Sequence, residues 1–224
     1  MIKNISNLGD AALYCDFGNI VNKETNTEVI KYYQNIKNSN IDGINNLTPS
    51  YNKLIISFDL SITNFSKLKK IIENLSIDKK DNLSSKKIEI PICCDELFSL
   101  DIRRLESKLN LEREKIFDNF FKNEYFCYMT GFIAGMPFLG DLDKNMHVKR
   151  LETPRVKVPK GSVGLTEQFT NIYSFESPGG WNIIGNTPIN VFDNKNEAEP
   201  NLISPGDTIV FKRIDINQYN KFND

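Results

Sequence analysis

Hydrophobic positions in the first ninety residues switch between two periods. Residues 12–17 form a short apolar run that ends at Gly18, the pattern of a strand followed by a turn. Val29, Tyr33 and Ile36 recur at helical spacing and predict an amphipathic helix over about residues 24–38. Residues 53–58 read as a strongly apolar strand. Phe65, Leu68, Ile72 and Leu75 give a second helical stripe, with Asn64 placed to cap it. Alternation over 86–90 predicts a further strand. Strands interleaved with two helices predict a small α+β sandwich over 1–90, with both helices on one face of a sheet.

The pattern then changes. Ile102, Leu105 and Leu109 predict one short helix, and Ile116, Phe117, Phe120 and Phe121 a second. Asn110 is the expected cap of the second, with Glu112 and Glu114 in its first turn, where the helix dipole favours carboxylates. Short strands are expected at 125–129, 161–165, 181–184, 189–192 and 208–211. Turn signals separate them, at Met136-Pro137, Pro159-Lys160-Gly161, Pro178-Gly179-Gly180 and Pro205-Gly206-Asp207. Many short strands at this spacing predict a closed or nearly closed β-barrel over 91–224, with the two short helices at its start. The polar tail, 218–224, is expected to fray.

Composition narrows the function. The 224 residues carry 28 Lys+Arg against 29 Asp+Glu, a formal net charge of -1. This lacks the basic excess that general nucleic-acid or anionic-membrane binding requires. Mean hydropathy is -0.38, and no apolar run approaches the roughly 18–20 residues of a membrane span. Residues 1–6 lack the basic start and continuous apolar stretch of a signal peptide. A cytoplasmic protein is expected. Cys15, Cys93, Cys94 and Cys127 form no C-x-x-C pair and read as small buried hydrophobes in a reducing compartment. With His147 the only histidine, an ordinary zinc site is not expected, and no G-x-S-x-G nucleophile elbow accompanies it.

The candidate chemistry gathers between Gly131 and Pro188. Residues 131–140 set three glycines among bulky apolar residues; such a loop can turn backbone N–H groups toward an anion or a carbonyl, or simply make tight barrel turns. Both readings stay open at this point. A basic cluster follows: Lys149, Arg150, Arg155, Lys157 and Lys160. Arg155 stands out because Thr153-Pro154 restrains the chain before it, and a guanidinium on a restrained backbone suits a carboxylate or phosphate. Gly179 and Gly180 precede the only tryptophan, Trp181. Neither G-x-x-x-x-G-K-[ST] nor G-x-G-x-x-G occurs, so the motifs supply no nucleotide site.

Several of these segments come in one order: 131–140 (GFIAGMPFLG), Thr153-Pro154-Arg155, 158–164 (VPKGSVG), Ile172-Tyr173, 178–181 (PGGW), 184–188 (IGNTP) and Pro205-Gly206-Asp207. Together with 9–13 (GDAAL) and 47–51 (LTPSY), they closely resemble the KipI/PxpB family, also called allophanate hydrolase subunit 1 or carboxyltransferase subdomain C/D. The resemblance covers nearly the whole chain. It implies a small α/β domain followed by a mainly β, cyclophilin-like barrel. It also implies the B subunit of an ATP-dependent 5-oxoprolinase, which opens 5-oxo-L-proline to L-glutamate together with a KipA/PxpC-like subunit and a LamB/YcsF-like PxpA subunit. The protein is expected to be inactive alone. ATP would be a co-substrate of the assembly, with or without magnesium, and no metal or prosthetic group is expected in this chain. The family also includes an inhibitor of a sensor histidine kinase and parts of urea- and allophanate-degrading enzymes, which give the alternative readings. The implied substrate-binding set is Gly135, Met136, Pro137, Phe138, Arg155, Gly179, Gly180 and Trp181, with Arg155 as the catalytic candidate. The chain departs from the usual pattern at Ala134, Met136, Phe138 and Asp141, and at Asn186, where relatives commonly carry an arginine.

Overall fold

The structure, a computed structural model, describes residues 1–75 and 85–222. It divides into two compact units, Met1–Ser84 and Ser85–Asp224. The first holds a four-stranded antiparallel sheet of β1 (Asn4–Asn7), β2 (Ala12–Asp16), β3 (Ile44–Pro49) and β4 (Lys53–Phe58), in the order β1-β2-β4-β3. Alternation on β4 buries Leu54, Ile56 and Phe58 on one face. Helices α1 (Lys23–Asn38) and α2 (Phe65–Glu73) join that face in a single core through Val29, Ile36, Leu68 and Ile72. Both helices begin at asparagine caps: Asn22 Oδ1 accepts from Thr25 N and Asn64 Oδ1 from Lys67 N.

The second unit contains β5 (Lys87–Cys93), α3 (Ile102–Leu109), α4 (Arg113–Phe121), β6 (Glu124–Thr130), β7 (Pro137–Gly140), β8 (Arg155–Val158), β9 (Ser162–Thr166), β10 (Phe169–Ile172), β11 (Ser177–Gly179), β12 (Asn182–Asn186), β13 (Thr208–Ile214) and α5 (Ile216–Asn220). Seven strands close a barrel in the order β10-β7-β6-β13-β5-β12-β9, and β8 and β11 pair as a separate two-stranded sheet. Every barrel pairing is antiparallel except β5 with β13, whose parallel register runs from Lys87↔Thr208 to Cys93↔Ile214. The core combines inward positions such as Ile90, Tyr125, Val163 and Phe211 with Leu105, Phe117 and Phe120 from α3 and α4. Phe120 stacks on Phe211 at 5.1 Å, and the Tyr125 hydroxyl donates to Phe120 O at 2.8 Å.

Several expectations change here. The strand expected at 86–90 belongs to the barrel, because its partners are β13 and β12; the units divide at Ser84/Ser85 rather than near residue 90. Asn110 does not cap α4. It ends α3 in the left-handed conformation (φ 52°), and Glu112 precedes α4 without a side-chain cap. Residues 189–192 form no strand: Val191 is buried and Phe192 makes one bridge to Asn201. The tail is ordered as far as it is described. A capping box between Asp215 and Gln218 starts α5, and Tyr219 reaches Phe98 at 4.5 Å and Asn186 at 2.8 Å. Residues 223–224 lie outside the described residues.

Candidate functional site

Arg155 opens β8 directly opposite Gly179 of β11. Its guanidinium Nη2 donates to Asp101 Oδ1 at 2.7 Å, while Nη1 is buried with no hydrogen-bond partner. Asp101 is itself 6% exposed, and its second oxygen accepts from Ile183 N at 2.7 Å. The restrained arginine is therefore a half-engaged fork. One arm is held by an internal carboxylate, and the other is a desolvated donor that an anion could satisfy.

Around this arginine the two glycine-rich segments meet. A Cβ on Gly179 would collide with the Tyr173 hydroxyl, so glycine lets the tyrosine pack against this backbone. A Cβ on Gly180 would lie 3.5 Å from Arg150 Nε and Nη2 and from Pro154. Trp181 meets Phe138 edge-on at 5.6 Å. Met136, Val158, Tyr173 and Ile183 form a small apolar cluster against which Ile133 and Phe138 pack. Gly135, in the left-handed region (φ 68°), backs onto Phe192, whose Cβ and Cδ2 would sit 2.5 Å from an added Cβ. Pro137 is buried at the start of β7, paired with Thr130 of β6.

Of the expected residues, Met136, Phe138, Arg155, Gly179, Gly180 and Trp181 thus share one neighbourhood, whereas Gly135 and Pro137 shape the loop behind it. Of the remaining basic cluster, Arg150 stays in this neighbourhood, its guanidinium beside Gly180, while the lysines leave it. Lys157 pairs with Glu176 at 3.0 Å, Lys160 lies over Phe175 at 5.9 Å, and the backbone carbonyls of Lys149 and Arg150 accept from Arg104. Sequence reasoning missed three members of the neighbourhood: Asp101, Asn171 and Tyr173 as a site residue. Burial pushes the Tyr173 phenol up, against the Asn171 side chain, the Trp181 backbone and the charges of Arg150 and Arg155, which act the other way.

Asn186 is engaged through both ends of its side-chain amide. Its amide donates to Lys160 O at 2.9 Å and its Oδ1 accepts from the Tyr219 hydroxyl. All four cysteines are free and buried, and burial pushes the thiols of Cys15 and Cys94 up to about 12. Among the described residues, no group of three or more His, Cys, Asp or Glu side chains is placed to hold a metal, and no helix is long and apolar enough to cross a membrane.

Two open cavities lie elsewhere. One, of about 440 Å³, is lined by residues 93–95 and 213–216, and the other, of about 370 Å³, by Tyr33 and neighbours in the first unit. In the larger one the guanidinium of Arg213 is already taken by both oxygens of Glu114.

Comparison with known proteins agrees with this architecture. The chain is 30% identical over 98% of its length, and 96% of the relative's, to a Bacillus subtilis strain 168 protein named as the B subunit of 5-oxoprolinase. It is 38% identical to the Haemophilus influenzae protein of the same name, over 75% of this chain and 76% of that one. The crystal structure of TTHA0988 superposes with a TM-score of 0.83 at 27% identity; the match covers 92% of this chain and only 40% of that longer one. Residues 3–203 match the model of the carboxyltransferase domain, subdomain C and D, so the chain belongs to that family.

Proposed function

We propose that this chain is the B subunit of an ATP-dependent 5-oxoprolinase, acting with KipA/PxpC-like and LamB/YcsF-like PxpA subunits to open 5-oxo-L-proline to L-glutamate. The observation that carries this reading is the end-to-end match to a relative named as the B subunit of 5-oxoprolinase. The geometry supports it with a place for the substrate carboxylate. The Nη1 of Arg155 is buried with no hydrogen-bond partner, and a charge-assisted bond from such a donor to a carboxylate is strong. Phe138 and Trp181 would flank the apolar edge of a small ring, and the 131–140 loop would complete the pocket against a partner subunit. Opening the lactam requires phosphoryl activation of the amide oxygen and attack by water on the activated carbonyl. In this reading Arg155 binds and orients the substrate, and the partner subunits supply the nucleotide.

The test is ATP hydrolysis dependent on 5-oxoproline, measured on the co-expressed subunits with each omitted in turn. Turnover should vanish without this chain. A complex that forms but does not turn over 5-oxoproline would reject the reading and favour the kinase-inhibitor or urea-linked members of the family. Within an active complex, Arg155→Ala should lower kcat/KM about 100-fold or more, because it leaves a substrate carboxylate unpaired. Arg155→Lys keeps a cation beside Asp101 and separates loss of the fork from loss of fold. Full activity in both variants would remove Arg155 from the site.

A further inference from the structure

We propose that Asp101 is a positioning residue: it holds the Arg155 guanidinium in the orientation that presents Nη1 to an anionic ligand. Two observations carry this. Asp101 spends its carboxylate on two anchors, Arg155 Nη2 at 2.7 Å and Ile183 N at 2.7 Å, while its own N–H donates to Ile183 O at 3.0 Å. The residue is thereby locked to β12 by a reciprocal pair of bonds, and a locked carboxylate is a rigid post for an arginine that would otherwise sample many rotamers. Second, the pair is asymmetric in burial. Asp101 is 6% exposed at its side chain and Arg155 28%, so the acid is the more deeply set member and belongs to the frame. A guanidinium fixed through one arm loses less freedom on binding with the other. The role of Asp101 in turnover rests on the functional reading above, but its grip on Arg155 does not.

Asp101→Asn is the informative variant. Its amide oxygen can still accept from Ile183 N, so the tie to β12 survives, whereas its NH2 meets Arg155 Nη2 donor to donor and releases it. In an active complex, KM for 5-oxoproline should rise about tenfold or more with kcat changed far less. In an Arg155→Ala background, which leaves Asp101 nothing to position, the same substitution should add nothing. An unchanged KM, or effects of the two substitutions that multiply, would overturn the proposal. The second readout needs no activity. In the isolated chain with isotope-labelled arginine, hindered rotation should resolve the Arg155 Nη protons in the unsubstituted protein, and Asp101→Asn should average them. Signals equally resolved in both proteins would reject Asp101 as the post. Failure of 5-oxoproline turnover in the unsubstituted complex would reject the functional reading alone.

Discussion

Among the described residues, the N-terminal unit buries two polar side chains, Asn26 and Thr63, whereas the barrel unit buries Asp101, Asn119, Asn171, Asn182, Asn186, Asp207 and several hydroxyl residues. The contrast follows from topology. A four-stranded sheet covered by two helices satisfies most of its backbone within regular elements. A barrel interrupted by long crossings leaves N–H and C=O groups inside that ladders do not reach, and buried backbone groups need partners. Side chains supply them. Asn182 Nδ2 donates to Lys149 O at 3.2 Å and Leu165 O at 3.1 Å, Asn186 Nδ2 donates to Lys160 O at 2.9 Å, and Asp207 accepts from Lys86 N and from Ser204 N, both at 2.8 Å. The polar interior of the barrel is thus mostly closing hardware. Asp101 differs from the rest because one of its two bonds goes to a charged side chain at the site.

The largest effect on stability that this contrast predicts is at Asp207. Asp207→Ala should cost about 2–4 kcal/mol, since it strands two backbone donors in a position only 3% exposed. Denaturant unfolding measures it, with Asp207→Asn expected to recover part of the loss by keeping one acceptor. A cost below about 1 kcal/mol would show that water replaces these bonds and would remove the distinction between the units.

In the N-terminal unit the corresponding substitution is milder. Asn26 Nδ2 donates to Ser50 O and Tyr51 O at 2.9 Å, tying α1 to the turn before β4. Its Oδ1, however, is buried with no hydrogen-bond partner, so truncation also removes an unsatisfied acceptor. Asn26→Ala should therefore cost about 1–2 kcal/mol by the same measurement, less than Asp207→Ala. The reverse order would mean that the sheet unit depends on polar ties as strongly as the barrel.

The same contrast decides what was legible from the residues alone. Apolar periodicity located β4 at its observed bounds and α2 with its cap, because these elements bury one clean face. It missed β1 and β3, whose segments NISN and INNLTP are mostly polar and bury only Ile5 fully. It also assigned a strand to 189–192, where Val191 reaches the core from a loop. At the site, Arg155 and the flanking Phe138, Gly179 and Trp181 were marked by proline restraint, glycine pairs and motif order. Asp101 was not. It lies 54 residues before its partner at the start of α3, where a carboxylate reads as a helix cap, and only the fold shows that it makes no side-chain cap bond.

The smallest effect concerns a tie that titrates. Asp16 Oδ1 accepts from Gly18 N at 2.6 Å and pairs with Lys53, whose ammonium also donates to Gly18 O at 2.6 Å. Gly18 takes φ 116°, a conformation glycine alone adopts without strain, so this turn after β2 is held by backbone freedom and one ion pair together. The Lys53 hydrogen bond first, then the Gly18 N–H, keep the Asp16 carboxyl below its ordinary value. A carboxyl depressed in the folded state stabilises fully above its unfolded pKa of about 3.9, and that contribution disappears as pH falls through the lower folded value. Asp16→Asn should accordingly cost about 1 kcal/mol near pH 7, with the gap between the two proteins closing as pH falls below about 4. Denaturant midpoints across that range measure it. A gap that stays constant through acid would mean that the Asp16 bonds act through shape rather than charge. In that case the turn would resemble the neutral amide ties of the barrel, and the two units would differ in how many such ties they use, not in kind.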